Sequence, residues 1–277
     1  MTHNTMEFHK MHGCGNDFVL IDNRRYGIAE AVMADWARAV CRRAFSVGAD
    51  GLIFLDAPGD RPGVDYVWHF YNADGSRAEM CGNASRCATR LAVELGLAGP
   101  EHVIGTDAGP IKARLLPGGD AAKVQLTPPL DLATNLTLTV DGTDTTLHFV
   151  NTGVPHAVRF GDDTPGLDVR KLGAAVRYHP HFAPKGTNAN FAQVKDSRSI
   201  YLRTYERGVE GETLACGTGA AATALIAHTL GLTGPEVEVT TTGNEILTIS
   251  LENGAVFLTG KAIKVYTGAL ALDAIGL

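Results

Sequence analysis

Two cysteines of this chain stand in equivalent places. Cys81-Gly82-Asn83 and Cys216-Gly217-Thr218 lie at an offset of 135 residues, and each opens a segment closed by Leu-Gly-Leu, at 95–97 and at 230–232. A Cys at the mouth of a helix faces unpaired backbone N–H groups and the positive end of the macrodipole. That setting favours the thiolate, whose parent thiol ordinarily has a pKa of ~8.5. Gly82 and Gly217 let backbone approach a ligand closely, and the N–H groups that follow can hold a carboxylate. One short motif thus supplies both a base and an anion clamp. Two such thiols on opposite sides of a carbon suit one chemistry well: a proton leaves one face and another returns on the other. A small residue at an ordinary helix start explains a single copy about equally well. Two copies in register weigh against it.

The elements that must position these cysteines are also duplicated. Each Cys-Gly follows a strand-like run ending in tyrosine, 66–71 and 201–205. Gly13 with Asn16-Asp17-Phe18-Val19 has a counterpart in Gly153 with His156-Ala157-Val158, at an offset of 140. Phe45 with Gly48-Ala49-Asp50 matches Phe182 with Gly186-Thr187-Asn188, at 137 to 138. Matches in one order and nearly one offset indicate a copied half-chain. Strands are expected at 18–22, 51–56, 64–71, 103–106, 112–116, 123–126, 136–140, 146–150, 236–242, 246–251 and 256–259. Tyr66, Trp68 and Phe70 share one face at period two. Amphipathic surface helices are expected at 31–43 and 169–178.

The segment 83–95 carries Ala84, Cys87, Ala88, Leu91 and Leu95 at helical spacing, with Arg86, Arg90 and Glu94 off that face. Its partner, 218–230, is nearly apolar all round, and such a helix is buried on all sides. A sheet curled around it would bury it. The expected fold is therefore α+β: two pseudo-symmetric lobes from an internal duplication, each a curled, barrel-like mixed sheet around a central helix, with the active site in the cleft between them. Residues 1–126 plus 264–277 form the lobe carrying Cys81, and 127–263 the lobe carrying Cys216, with Pro128-Pro129 near the hand-over.

Composition narrows the function classes. The chain has 277 residues, 45% hydrophobic and 19% charged, which fits a folded globular protein of two ordinary domains. A net charge of −6 argues against a nucleic-acid groove, and no basic membrane patch is visible. No apolar run approaches a membrane span, and residues 1–10 lack a signal core. A cytoplasmic enzyme is expected, with Met6 as a possible older start. Five cysteines, without a Cys-x-x-Cys pair, suggest neither a disulfide framework nor a metal site. Cys14, Cys41 and Cys87 read as small buried hydrophobes.

Longer motifs tie these features together. They are Lys10-Met11-His12-Gly13-Cys14-Gly15-Asn16-Asp17-Phe18, Asn72-Ala73-Asp74-Gly75-Ser76, Met80-Cys81-Gly82-Asn83, Gly186-Thr187-Asn188-Ala189-Asn190-Phe191, Tyr205-Glu206-Arg207-Gly208 and Ala215-Cys216-Gly217-Thr218-Gly219. In these, and in their order along nearly the whole chain, the sequence resembles the diaminopimelate epimerases. The resemblance implies a cofactor-independent isomerase that interconverts LL-2,6-diaminopimelate and meso-diaminopimelate, in lysine and peptidoglycan precursor synthesis. It implies no metal, no cofactor and a homodimer. It makes Cys81 and Cys216 the acid–base pair and His156 and Glu206 the groups that help set their protonation. It gives substrate binding to Asn16, Asn72, Asn188, Glu206 and Arg207, with Gly82, Asn83, Gly217 and Thr218 holding the α-carboxylate. Arg207 is the natural fork for a carboxylate, and the asparagines can read both ammonium and carboxylate.

Blander readings stand beside these. Asn72 and Asn188 also fit turns or caps, His156 after Pro155 a buried structural histidine, and Glu206-Arg207 a surface pair. The chain departs from a common family pattern at Val154, where an asparagine is frequent, at Gly51, where some relatives have glutamine, at Ala84, and in one extra residue within 208–212. A proline or hydroxyproline racemase is the nearest alternative, but those typically have histidine where this chain has Asn83. A phenazine-pathway-like isomerase would lack the paired cysteines. A thiol-redox or metal-binding protein would need a close Cys pair or a His/Cys cluster, and a pyridoxal-phosphate racemase a Schiff-base lysine.

Overall fold

The computed structural model describes residues 5–276. The beginning of the 1–10 stretch, read above for a leader, lies outside the described residues. The chain divides into two compact units, Met1–Val124 with Gly260–Leu277 and Gln125–Thr259.

The first unit is a curled mixed sheet. Its strands are β1 (Thr5–Gly13), β2 (Asn16–Asp22), β3 (Gly51–Asp56), β4 (Tyr66–Asn72), β5 (Glu101–Thr106), β6 (Gly109–Leu115) and β7 (Ala121–Gln125), with β17 (Ile263–Ala271) added beside β1. β2–β3 and β4–β5 are parallel and the other neighbours antiparallel. Helix α1 (Glu30–Val40) makes the first parallel crossover and α2 (Gly82–Glu94) the second. Helix α2 touches β1, β2, β3 and β6, so strands from both ends of the sheet wrap it.

The second unit repeats this plan. Strands β8 (Leu130–Val140) and β9 (Thr143–Asn151) are followed by β10 (Pro155–Phe160), β11 (Asn188–Asp196), β12 (Ser199–Glu206), the short β13 (Gly211–Thr213), β14 (Glu236–Thr241), β15 (Ile246–Glu252) and β16 (Ala255–Lys261). Here β10–β11 and β12–β14 are the parallel pairs, spanned by α3 (Val169–Arg177) and α4 (Gly217–Thr229). The pairing order β9–β10–β11–β12–β14–β15–β16 has the same directions as β1 to β7. Strand β8 lies antiparallel beside β9 as β17 lies beside β1. The expected α+β fold, with a duplicated curled sheet around a helix, is what each unit shows.

Local chemistry explains the key elements. Cys81 and Cys216 are extended N-cap residues of α2 and α4, and neither sulfur caps its own helix. The Leu-Gly-Leu signature is the helix stop. Gly96 and Gly231 take φ of 65° and 72°. The N–H of Leu97 donates to Ala92 O at 2.8 Å and that of Gly96 to Val93 O at 3.1 Å, with Leu232→Ala227 and Gly231→His228 both at 2.9 Å. This is the Schellman arrangement, in which a left-handed residue lets two N–H groups fold back onto orphan carbonyls.

In two elements burial goes further than the sequence pattern indicates. Tyr66, Trp68 and Phe70 are buried, but so are Val67 and Tyr71 of the opposite face. Helix α1 covers that side through Met33, Trp36, Ala37 and Val40, at i, i+3, i+4 and i+7. Arg86, placed off the buried face of α2, is 0% exposed. A helix wrapped by a sheet has no solvent side in its first turns, so the guanidinium must find partners inside.

Candidate active site

In the first unit Cys81 Sγ donates to Asn16 Oδ1 at 3.7 Å. Asn16 opens β2, and its Nδ2 donates to Asp50 Oδ2 at 2.7 Å. Arg43 clamps Asp50 and Asp17 together, at 2.9 and 2.6 Å, and Lys10 donates to the other Asp17 oxygen at 2.7 Å. Burial alone would raise the Asp17 carboxyl, but Arg43 and Lys10 outweigh it and hold Asp17 below its ordinary range. Asn83, in the first turn of α2, donates through Nδ2 to Asn16 Oδ1 at 3.2 Å. Its own Oδ1 accepts from Arg86 Nη2 at 2.8 Å. The rest of the guanidinium reaches Lys261 O at 3.2 Å, Gly82 O at 3.4 Å and Cys14 Sγ at 3.4 Å. The Ala73 N–H donates to Asp50 O at 2.9 Å, which brings the end of β4, and with it Asn72, beside this group. Asn72 is exposed, and its Nδ2 donates to Ser76 Oγ at 2.9 Å.

In the second unit Cys216 Sγ lies 3.5 Å from Thr218 Oγ1, which lies 2.9 Å from His156 Nε2. His156 is wholly buried on β10, and its Nδ1 lies 3.1 Å from Asn190 Nδ2. That amide nitrogen also donates to Ala157 O at 3.0 Å, and Asn190 Oδ1 accepts from Thr204 at 3.0 Å. Burial, joined by the Arg207 charge, pulls His156 down to about 3, so its imidazole is neutral near pH 7. Asn188 is buried: its Oδ1 accepts the Arg207 N–H at 2.8 Å, and its Nδ2 donates to Pro155 O at 2.9 Å. It positions the Arg207 backbone, while the Arg207 guanidinium donates to Lys185 O at 3.2 Å. Glu206, half-buried at the end of β12, has its carboxyl pushed up by burial.

The two sets are alike in kind. Each has a half-buried or buried thiol at a helix N-terminus, the second residue after it bonded to a polar side chain, and backbone N–H groups of the first helical turn nearby. Such a set can hold a carboxylate and exchange a proton with the adjacent carbon. Among the described residues no group of three or more His, Cys, Asp or Glu is placed to hold a metal ion. No helix among them is long and apolar enough to cross a membrane.

The family model described as diaminopimelate epimerase matches residues 8–130 and 148–265. The chain belongs to the diaminopimelate epimerase family. Among its relatives, the diaminopimelate epimerase of Aquifex aeolicus is 48% identical over 275 residues, covering 96% of this chain and 98% of the relative. That of Hydrogenobaculum sp. is 45% identical, covering 95% and 98%. The fold is shared more widely. A probable proline racemase from Agrobacterium radiobacter, solved with bound carbonate, superposes with a TM-score of 0.70 at 16% identity, covering 98% of this chain and 96% of its own. A phenazine biosynthesis protein of the PhzF family from Bacillus anthracis gives 0.65 at 14% identity, covering 96% and 98%.

Two of this chain's departures from the common family pattern, Val154 and Gly51, have defined surroundings. Next to Val154, the Thr152 hydroxyl donates to Thr218 O at 3.0 Å and ties this loop to the start of α4. A Cβ at Gly51 would lie 2.7 Å from Phe70 Cε2 and 2.8 Å from Tyr71 O, so β3 and β4 are packed for glycine there.

Cys41 and Cys87 are buried, as expected of small hydrophobes, and burial pushes their thiols up to about 12. Cys14 does more than fill space. It sits at φ 55° in the β1–β2 turn and receives a guanidinium N–H. Arg86, Asp50 and Asn190 carry the hydrogen-bond chains and were not singled out. The available signals were spacing: Arg86 is three residues after Asn83 on one helix, and Asn190 is two after Asn188 on one strand face.

Proposed function

We propose that this chain is a cofactor-independent diaminopimelate epimerase, interconverting the LL and meso isomers by proton transfer at one α-carbon. The observation that carries the reading is the paired placement of Cys81 and Cys216 as uncapped N-cap residues of α2 and α4, in a chain of this family. One thiolate removes the α-hydrogen; the other thiol delivers a proton to the opposite face. The carbanion formed between is delocalised into the α-carboxylate. The N–H groups around Gly82-Asn83 and Gly217-Thr218 stabilise that charge, and exclusion of water strengthens every such contact. Asn16, Asn72, Asn188 and Arg207 bind substrate, with Arg207 the fork for the distal carboxylate. His156 acts on Cys216 through Thr218, and Glu206 is a polar neighbour kept toward its neutral form. The protein works in the cytoplasm as a homodimer.

Proton–deuterium exchange at the α-carbon, run on a small panel of amino acids, tests this. Diaminopimelate should exchange and epimerise far faster than proline, hydroxyproline or lysine. Faster exchange of proline would favour the racemase alternative, against which Asn83 already argues.

A further inference from the structure

The loop that carries Arg207 is held from both sides. Upstream, Asn188 Oδ1 accepts the Arg207 N–H at 2.8 Å. Downstream, the next N–H, that of Gly208, donates to Glu210 Oε1 at 3.0 Å. The Glu210 N–H donates back to Glu206 O at 2.8 Å and closes the turn. Glu210 itself sits at φ 55°, in the left-handed region where a glycine would rest without strain. A residue with a side chain keeps such a conformation where its surroundings over-determine it. This is the stretch, 208–212, that carries the extra residue relative to the shorter family form.

Those surroundings form a clamp. Arg177, at the C-terminal end of α3, donates to the same Glu210 Oε1 through Nε at 3.2 Å and Nη2 at 3.1 Å. The Tyr205 hydroxyl reaches Oε2 at 3.4 Å, and the Tyr178 hydroxyl hydrogen-bonds the same carboxylate. The Gly208 N–H, with Tyr178 and Arg177, holds the Glu210 carboxyl below its ordinary range, so it is ionised near pH 7. The Arg177 guanidinium also backs a second loop. A Cβ at Gly186 would strike Arg177 Nη1 and lie 2.7 Å from Arg177 O, so the chain leading into Asn188 passes directly against this residue. Just before it, Lys185 O accepts from the Arg207 guanidinium at 3.2 Å. Arg177 thus joins the loop that leads into Asn188 to the loop that carries Arg207. Helix α3 is a firm base for it, since Gly173 packs on Tyr205 with no room for a Cβ.

We propose that Glu210, locked to Arg177, is a positioning residue that sets Arg207 for the distal carboxylate of the substrate. The assignment rests on the epimerase reading above. An isolated ion pair near the surface contributes little to stability, and here its effect is on order. Without the carboxylate, the turn after Arg207 has a backbone donor unheld and a strained residue with nothing to keep its conformation. The fork is then in place for only a fraction of the time, and apparent affinity falls by that fraction. The groups that move protons at the other end of the substrate are untouched, so turnover at saturation is retained. Glu210 and Arg177 act through the Arg207 backbone rather than on substrate atoms.

Steady-state kinetics of Glu210→Ala, Glu210→Gln and Arg177→Met, with amide exchange of residues 206–213 in the substrate-free protein, test this. Glu210→Ala should raise KM for diaminopimelate ~10-fold and leave kcat within about 2-fold. Glu210→Gln, which keeps an acceptor for the Gly208 N–H, should recover part of that loss. Arg177→Met should resemble Glu210→Ala, and the double variant should be no worse than either alone. Deuterium uptake at the α-carbon of lysine, which offers no distal carboxylate, should not change. Exchange at 206–213 should quicken at least ~10-fold in Glu210→Ala while α4 stays protected. An unchanged KM, a loss of kcat at constant KM, or an equal loss with lysine overturns the positioning role. Unchanged exchange overturns the clamp itself, whatever the substrate. Quickened exchange in a protein that leaves diaminopimelate unaltered would keep the clamp and overturn the epimerase reading instead.

Discussion

Arg86 donates to the Asn83 side-chain oxygen at 2.8 Å from a position with no solvent exposure. The same guanidinium satisfies two backbone carbonyls and the Cys14 sulfur. It thereby orients the amide that orients Asn16, one bond away from Cys81. Arg86→Met should leave these acceptors buried and unpaired, at about 1–3 kcal/mol for each orphaned group. Thermal or urea denaturation should show a marked loss. Arg86→Lys should recover part of the stability but less of the turnover, because an ammonium lacks the planar fork that spans Asn83 and the carbonyls. Equal stability of wild type and Arg86→Met would remove the guanidinium from this role.

His156 gives the fold a pH dependence of defined sign. Burial, with Arg207 beside it, holds its folded pKa at about 3, against 6.5 for the free side chain. Between those values the unfolded chain binds a proton that the folded chain does not. Stability from this residue is complete above the unfolded value and is lost as pH falls toward the folded one, at up to about 1.4 kcal/mol per pH unit. Urea titrations of wild type and His156→Gln across that range should differ in slope in this direction. Parallel curves would show that His156 is not held neutral inside.

The helix stops give a second stability test. Gly231 has φ 72° and no atom within 4 Å of an added Cβ, so Gly231→Ala meets conformational strain without a clash. The cost should be roughly 1–2 kcal/mol, and Gly96→Ala, equally open at φ 65°, should match it. A neutral outcome at both positions would mean the left-handed caps are not required.

Substrate reach tests the Arg207 region. Asn188 fixes the Arg207 backbone through a 2.8 Å bond, consistent with a fork that must be held in place. Lysine lacks the distal carboxylate, and a site built to pair a group is left with unsatisfied polar atoms without it. Its kcat/KM should be lower than that of diaminopimelate by ~10⁴-fold. Arg207→Met should narrow that gap by losing diaminopimelate rather than gaining lysine. Comparable values for the two substrates would contradict this assignment.

Much of this was legible because duplication doubles every weak signal. The apolar α4 announced a helix that a sheet must enclose, and Leu-Gly-Leu announced two stops. Three of the strands that were not read explain themselves physically. β1 is buried on both faces over His9 to Met11, so its alternation disappears there. β17 is largely exposed beyond its pairing with β1, so its pattern is that of an edge. β13 is three residues long and, among the described residues, takes its strand pairing from β12. Within the candidate site, the helix-mouth places of Cys81 and Cys216 and the burial of His156 could be read from the sequence. That of Arg86 could not, because periodicity assigns a charged residue to solvent, and only the enclosing sheet removes that option. Asn190 was quoted as part of a motif, but its role needs the β10–β11 register that sets Val158 opposite it and His156 two residues away.

The central claim is that two thiols are required, one for each face of the α-carbon. Single-cysteine variants assayed with LL-diaminopimelate in deuterium oxide, following both inversion and α-deuterium uptake, test it most directly. Wild type should form the meso isomer with deuterium at the inverted carbon. Cys81→Ala and Cys216→Ala should each abolish epimerisation, whereas Cys41→Ala and Cys87→Ala should be tolerated and Cys14→Ala should cost only modestly. Near-wild-type inversion by either Cys81→Ala or Cys216→Ala would contradict the two-thiol account.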